Sequence, residues 1–158
     1  YLNVTLYTTW RDYKMAKGGL LEKNSGIGGL LVNVEHITAA KTIVESDSGK
    51  VFMVSSEGGA YDITLPTAST AQNGAVYKFI VHEETPTNDV TIKAGSAIIS
   101  LVMKDAGGDA ANSTAGTQVS NIILEAASQR GDFVELLFWN GEYYANGLSA
   151  INDGITTS

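Results

Sequence analysis

The chain has 158 residues, a formal net charge of −7 and no cysteine. That length admits one domain plus, at most, an arm. The acidity argues against nucleic-acid wrapping or adhesion to anionic membrane, which rely on clustered Lys and Arg, and the missing thiols remove disulfides and cysteine catalysis together.

A hydrophobic fraction of 44% with only two prolines fits a folded chain rather than a linker or solvating tail. No apolar run approaches the ~20 residues of a membrane helix. Residues 1–14, YLNVTLYTTWRDYK, precede Met15-Ala16-Lys17, which reads as a bacterial or phage start. Trp10 has the single codon TGG, and an AGG codon for Arg11 spells a GGAGG ribosome-binding signal shortly before Met15. Residues 1–14 are therefore expected to be upstream sequence translated in frame; an edge strand, from the β propensity of NVTLY, is the other reading.

Residues 15–33, MAKGGLLEKNSGIGGLLVN, alternate Gly pairs with Leu pairs. Each glycine costs a helix about 1 kcal/mol relative to alanine, yet Leu20, Leu21, Leu30 and Leu31 are too apolar for a spacer. The stretch 1–34 is expected to be an extended N-terminal arm. Its leucines would dock on a neighbouring subunit, with Gly26, Gly28 and Gly29 as the hinge. A glycine-hinged start to the core is the alternative.

From His36 the pattern is that of strands, at 37–46, 50–55, 61–66, 75–83, 90–94, 97–103, 118–126, 132–140 and 142–146. These runs are rich in β-branched and aromatic residues and are broken by Gly, Pro, Asn and Asp. Tyr77-x-Phe79-x-Val81 and Val90-x-Ile92-x-Ala94 alternate as strands with one buried face do. Asn140-Gly141, between aromatic-rich runs, is the clearest hairpin signal, since Asn-Gly accepts the positive φ angles of a type I′ turn. Residues 67–71 (TASTA) are expected to make one helical turn, 104–116 an exposed excursion and 149–158 a mobile C-terminal tail. Short strands, tight turns and no helical period predict an all-β fold over residues 35–148, a compact antiparallel barrel or sandwich. No internal repeat is evident, which argues against propellers and β-solenoids. The expected core is Ile43, Phe52, Val54, Ile63, Leu65, Tyr77, Phe79, Val81, Ile92, Ile123, Val134 and Leu136.

The succession DSGKVFMV (47–54), DITLPTA (62–68), GAVYKFIV (74–81) and DVTIKA (89–94), closed by GDFVELLFWNGEYYANG (131–147), resembles small head decoration (capsid cement) proteins of tailed bacteriophages. The resemblance implies a structural virion protein rather than an enzyme, made in the host cytoplasm and bound to the outer capsid surface. It implies as partners the major capsid protein and further copies of the chain, most often as a homotrimer over a capsid symmetry axis. No nucleic acid, membrane, metal or cofactor is expected. The alternative is a receptor- or carbohydrate-binding β tip of a tail or head fibre, although the heptads or repetitive shaft that would favour it are not seen.

Motifs for catalysis are sparse. His36 and His82 lie far apart and lack metal-ligand spacing, and His82-Glu83-Glu84 has no second histidine of a zincin. Ser48-Gly49-Lys50 lacks the upstream glycine of a phosphate loop, the position being Val44. Glu83 with Glu84, and Glu125 with Glu135, are carboxylate pairs that solvated strand faces explain. Arg130-Gly131-Asp132 spells an adhesion tripeptide but falls where Gly-Asp simply makes a turn.

The aromatics stand out. Alternation puts Phe133 and Trp139 on one face and Phe138 on the other, and it must also split Tyr143 from Tyr144. A β domain buries one such face in its own core, so the rest is offered to a partner. The interface expected from the sequence is the arm together with Trp139, Tyr143 and Tyr144.

Overall fold

The computed structural model describes residues 25–26, 29–30, 32–95, 98–105 and 117–158 and divides into two units, Tyr1–Val32 and Asn33–Ser158. In the first, β1 (Ser25–Gly26) and β2 (Gly29–Leu30) pair antiparallel, Gly26 opposite Gly29 and Ser25 opposite Leu30. Two of the expected hinge glycines, Gly26 and Gly29, thus face each other across this pair. Leu20, Leu21, Gly28, Leu31 and the stretch 1–14 lie outside the described residues.

The second unit is all-β. Its strands are β3 (Val34–Ile37), β4 (Lys41–Thr42), β5 (Val51–Val54), β6 (Tyr61–Thr64), β7 (Val76–Val81), β8 (Val90–Lys93), β9 (Ile98–Asp105), β10 (Thr117–Val119), β11 (Asn121–Leu124), β12 (Phe133–Trp139), β13 (Glu142–Ser149) and β14 (Ile155–Thr157). They form a seven-stranded sheet, ordered β10-β9-β13-β12-β7-β5-β3, and a five-stranded sheet, ordered β14-β11-β8-β6-β4. The inner faces of the two sheets share one core of buried residues, so the fold is a β-sandwich.

The pairing is mixed, where a purely antiparallel arrangement was expected. From β3 to β8 the chain crosses the sandwich at every step, so β3, β5 and β7 fall in one sheet and β4, β6 and β8 in the other. Two crossings restore the direction, and neighbours in each sheet therefore run parallel. Local strand signals are the same for a hairpin as for such an arch, which is why the sequence does not separate them. The Asn140-Gly141 hairpin is as expected: φ is 50° at Asn140 and 89° at Gly141, and the two residues join β12 to β13 with Trp139 opposite Glu142.

Three boundaries are corrected. Residues 37–46, read as one strand, are the end of β3, then β4, then the start of a 3-10 turn at Glu45–Asp47. The Asp47 carboxylate closes that turn by accepting the Val44 N–H at 3.0 Å and the Lys50 ammonium at 2.6 Å. The stretch 118–126 breaks at Ser120, with β10 in one sheet and β11 in the other. In β11 it is Ile122 and Leu124 that are buried, while Ile123 faces outward. That phase keeps Asn121, Ile123 and Glu125 together on the solvated side, which costs less than burying an amide and a carboxylate. Finally, the expected C-terminal tail is structural: β14 pairs with β11, and Ile155 lies in the core.

The other expected core residues are all buried. Phe52 stacks on Phe79 with centroids 5.1 Å apart, and Phe138 meets Tyr143 edge-on at 4.9 Å. Such ring pairs contribute about 0.5–1.5 kcal/mol beyond area burial. Two tyrosines clamp the sheets. The Tyr143 hydroxyl, from β13, donates to the Pro66 carbonyl beyond β6 at 2.7 Å. The Tyr61 hydroxyl, from β6, lies 3.1 Å from the Ile37 carbonyl and 2.9 Å from that of Ser55. Burial pushes the Tyr61 phenol up to about 12, against the lowering effect of its bond to Ser55. Residues 67–71 close one turn, with Ala71 N–H donating to the Thr67 carbonyl.

Candidate functional site

Period-two alternation divides each strand of the seven-stranded sheet between core and exterior. β7 alternates strictly, with Tyr77, Phe79 and Val81 inward and Val76, Lys78 and Ile80 outward. β12 does the same, with Val134, Leu136 and Phe138 inward. The exterior is unusual because much of it is apolar too, around a few polar and charged side chains.

Strand register assembles its rows. One runs His36, Met53, Ile80, Phe133, Leu148, Lys104 across β3, β5, β7, β12, β13 and β9. Another runs Val76, Leu137, Tyr144, Ser100. Between them lies Val34, Val51, Lys78, Glu135, Asn146, Val102. Trp139 ends the face at the hairpin and is 56% exposed; Leu137 is 43% and Tyr144 46% exposed. The charges at its centre are internally matched. Lys78 Nζ lies 3.6 Å from Glu135 and 4.6 Å over the Phe133 ring.

The outer face of the five-stranded sheet is the opposite in character. Register there gives Thr42, Thr64, Lys93, Asn121 in one row and Asp62, Thr91, Ile123, Thr156 in the next. Lys93 pairs with Asp62 at 2.6 Å. Water satisfies such a surface. A sheet that is apolar on both faces has the composition of a strand set covered on both sides, and contiguous exposed apolar surface marks interaction sites.

Trp139 and Tyr144, two of the expected interface residues, both lie exposed on this face. Tyr143 is a correction: it is wholly buried, its ring against Phe138 and its hydroxyl on Pro66. Because adjacent strand residues point to opposite faces, Tyr143 and Tyr144 cannot both be presented. Val34, Val102, Leu137 and Leu148 were missed. Their signal is present in runs such as VFMV and FVELLFW, where both alternating sets are apolar. Of the arm residues, Gly26, Gly29 and Leu30 fall in β1 and β2 and the others lie outside the described residues.

The polar constellations are structural. Glu83 is buried and accepts the Ser55 hydroxyl, the Ser56 hydroxyl at 3.0 Å and the Glu57 N–H at 2.7 Å. Burial raises its pKa, but the bonds from Ser55, Ser56 and Glu57 outweigh that and hold the carboxyl below the usual range. Its neighbour Glu84 points the other way, to Arg130 at 3.9 Å. Asp132 of the Arg-Gly-Asp triplet is buried too, accepting the Gln129 N–H, the Ser149 hydroxyl and the Ala150 N–H at 2.7–2.9 Å. It ties a turn together and is not presented for adhesion. Glu125 accepts the Thr156 hydroxyl on the five-stranded sheet, whereas Glu135 is on the other sheet. Lys50 is held by Glu35 and Asp47. The two histidines, distant in sequence, meet with ring centroids 5.0 Å apart. Among the described residues no helix is long and apolar enough to cross a membrane.

No protein-family model matches the chain, and a search of curated proteins found no match.

Proposed function

We propose that this chain is a structural virion protein, a decoration or cement protein that docks on the outer surface of a tailed-phage head and reinforces it. Its partners on this reading are the major capsid protein and further copies of itself, as a homotrimer. The observation that carries a docking role is the apolar outer face of the seven-stranded sheet, set against the hydrophilic face opposite. The order of strand motifs from Asp47 to Gly147 supports the more specific assignment by resemblance.

The physics of such a role is additive. Covering the exposed half of a large side chain on the face contributes about half of the ~1.5–3 kcal/mol that full burial gives, with Trp139 and Tyr144 of the residue types that dominate protein interfaces. Many copies, each held by modest contacts, gain strength together through avidity.

The test is co-sedimentation with undecorated heads of the virus that encodes the chain. The wild-type protein is expected to pellet with them, and Leu137→Asp to remain in the supernatant while keeping its circular dichroism spectrum. Failure of the folded wild type to bind overturns the capsid assignment; unchanged binding by Leu137→Asp overturns the role of the face.

A further inference from the structure

We propose that His36 and His82 form a surface site for a divalent transition-metal cation such as Cu²⁺, Ni²⁺ or Zn²⁺. This inference stands independently of the docking role. The chain has two histidines in all, one on β3 and one immediately after β7, and nothing in the sequence pairs them. The fold does so by laying β5 between β3 and β7 in parallel register. Both residues face outward, and their ring centroids are 5.0 Å apart with planes at 73°.

That separation suits shared ligation. With metal–nitrogen bonds of about 2.0–2.1 Å and tetrahedral angles, two imidazoles on one cation have centroids about 5 Å apart. The rings now meet edge to face, and ligation requires them to turn their nitrogens towards a common point. Both side chains are exposed, so rotation about their side-chain bonds meets little packing. Their nitrogens are also uncommitted: His82 is hydrogen-bonded through its backbone, to the Arg130 side chain and the Val54 carbonyl, and neither ring makes a hydrogen bond or ion pair among the described residues.

Two ligands set the class of site. Among the described residues no group of three or more His, Cys, Asp or Glu could hold a metal, so water completes the coordination. Nor, among the described residues, does a carboxylate or carbonyl accept a hydrogen bond from either ring, as one does in high-affinity centres. The expected affinity order is Cu²⁺ above Ni²⁺ and Zn²⁺. Imidazole suits all three, whereas Ca²⁺ and Mg²⁺ prefer oxygen.

The experiment is calorimetric titration of Cu²⁺ into the full chain, with electron paramagnetic resonance of the loaded protein. The expected result is binding of one equivalent, with nitrogen hyperfine structure from two imidazoles. His36→Ala and His82→Ala are each expected to weaken it roughly tenfold or more, since half of the protein ligands are gone. Both side chains are exposed, so both variants are expected to retain the fold, which circular dichroism checks. Affinity unchanged in either variant, or a spectrum with one imidazole nitrogen in the wild type, overturns the proposal. A Ca²⁺ titration as tight as that of Zn²⁺ also overturns it.

Discussion

Phe79 shows how one residue serves the whole fold. Its ring is fully buried, stacked on Phe52 across the β5–β7 pair and opposite Val134 of β12. Phe79→Ala is expected to cost about 3–5 kcal/mol in urea unfolding, the transfer loss plus an uncollapsed cavity. A cost under about 1 kcal/mol would contradict its place in the core. Glu83 makes a different contribution, tied to pH. Its folded-state pKa lies below the ordinary 4.5, so its stabilisation is complete above that value and is lost as pH falls through the depressed one. Glu83→Gln is therefore expected to lower stability at neutral pH and flatten the acid limb of the stability curve. Part of that limb remains with Asp47, where burial is outweighed by Lys50 and the Val44 N–H, and with Glu35, held low by Lys41 and Lys50. Acid unfolding curves of wild type and variant that stay parallel would count against this role.

At the scale of elements, turns and edges decide where the chain goes. Gly141 has φ 89° and nothing within 4 Å of an added Cβ, so Gly141→Ala meets only the backbone cost of that conformation. Loss of about 1–2 kcal/mol is expected in thermal unfolding. The C-terminal turn is constrained by close approach instead, because a Cβ on Gly154 would lie 2.3 Å from the Ser149 hydroxyl oxygen and 3.1 Å from Asp132. That turn delivers β14 to the edge of the five-stranded sheet. Removing residues 151–158 uncovers β11 and takes Ile155 from the core. The truncated chain is expected to melt lower and to self-associate through the freed edge. A truncation with wild-type melting temperature would return 149–158 to the status of a tail. The sequence held a sign of this strand in Asn152-Asp153-Gly154, a turn tripeptide followed by Ile-Thr-Thr.

For the molecule as a whole, the docking role proposed above implies that the two outer faces separate stability from association. Leu137 and Thr91 are both outward, on the apolar and the hydrophilic face respectively. Leu137→Lys and Thr91→Lys are each expected to change stability by no more than about 0.5 kcal/mol, as surface substitutions do. Only Leu137→Lys should reduce assembly, measured by sedimentation of the chain alone and with heads. Equal effects of the two substitutions would mean that the apolar face is not the contact surface. The net charge of −7 enters here as well. It keeps free copies apart over about a Debye length, while the matched Lys78–Glu135 pair leaves the centre of the face without a net charge to repel a neighbour.

Local features were legible in the chain alone: strand rather than helix, the Asn140-Gly141 hairpin, and the inward set of β5, β7, β8 and β12, since a two-residue period fixes which side chains share a face. It also carried the excess of apolar residues in β5 and β12 that a single core cannot absorb. Tertiary structure decided which strands are neighbours, because arches and hairpins share the same turn residues and differ only in where the next strand finds its partner. That choice made the sheets mixed, split 37–46 and 118–126 between layers, set the phase of Ile123, buried Glu83 and Asp132, and brought His36 beside His82. Each of these depends on contacts between residues distant in the chain, and spacing along the sequence carries no record of such distances.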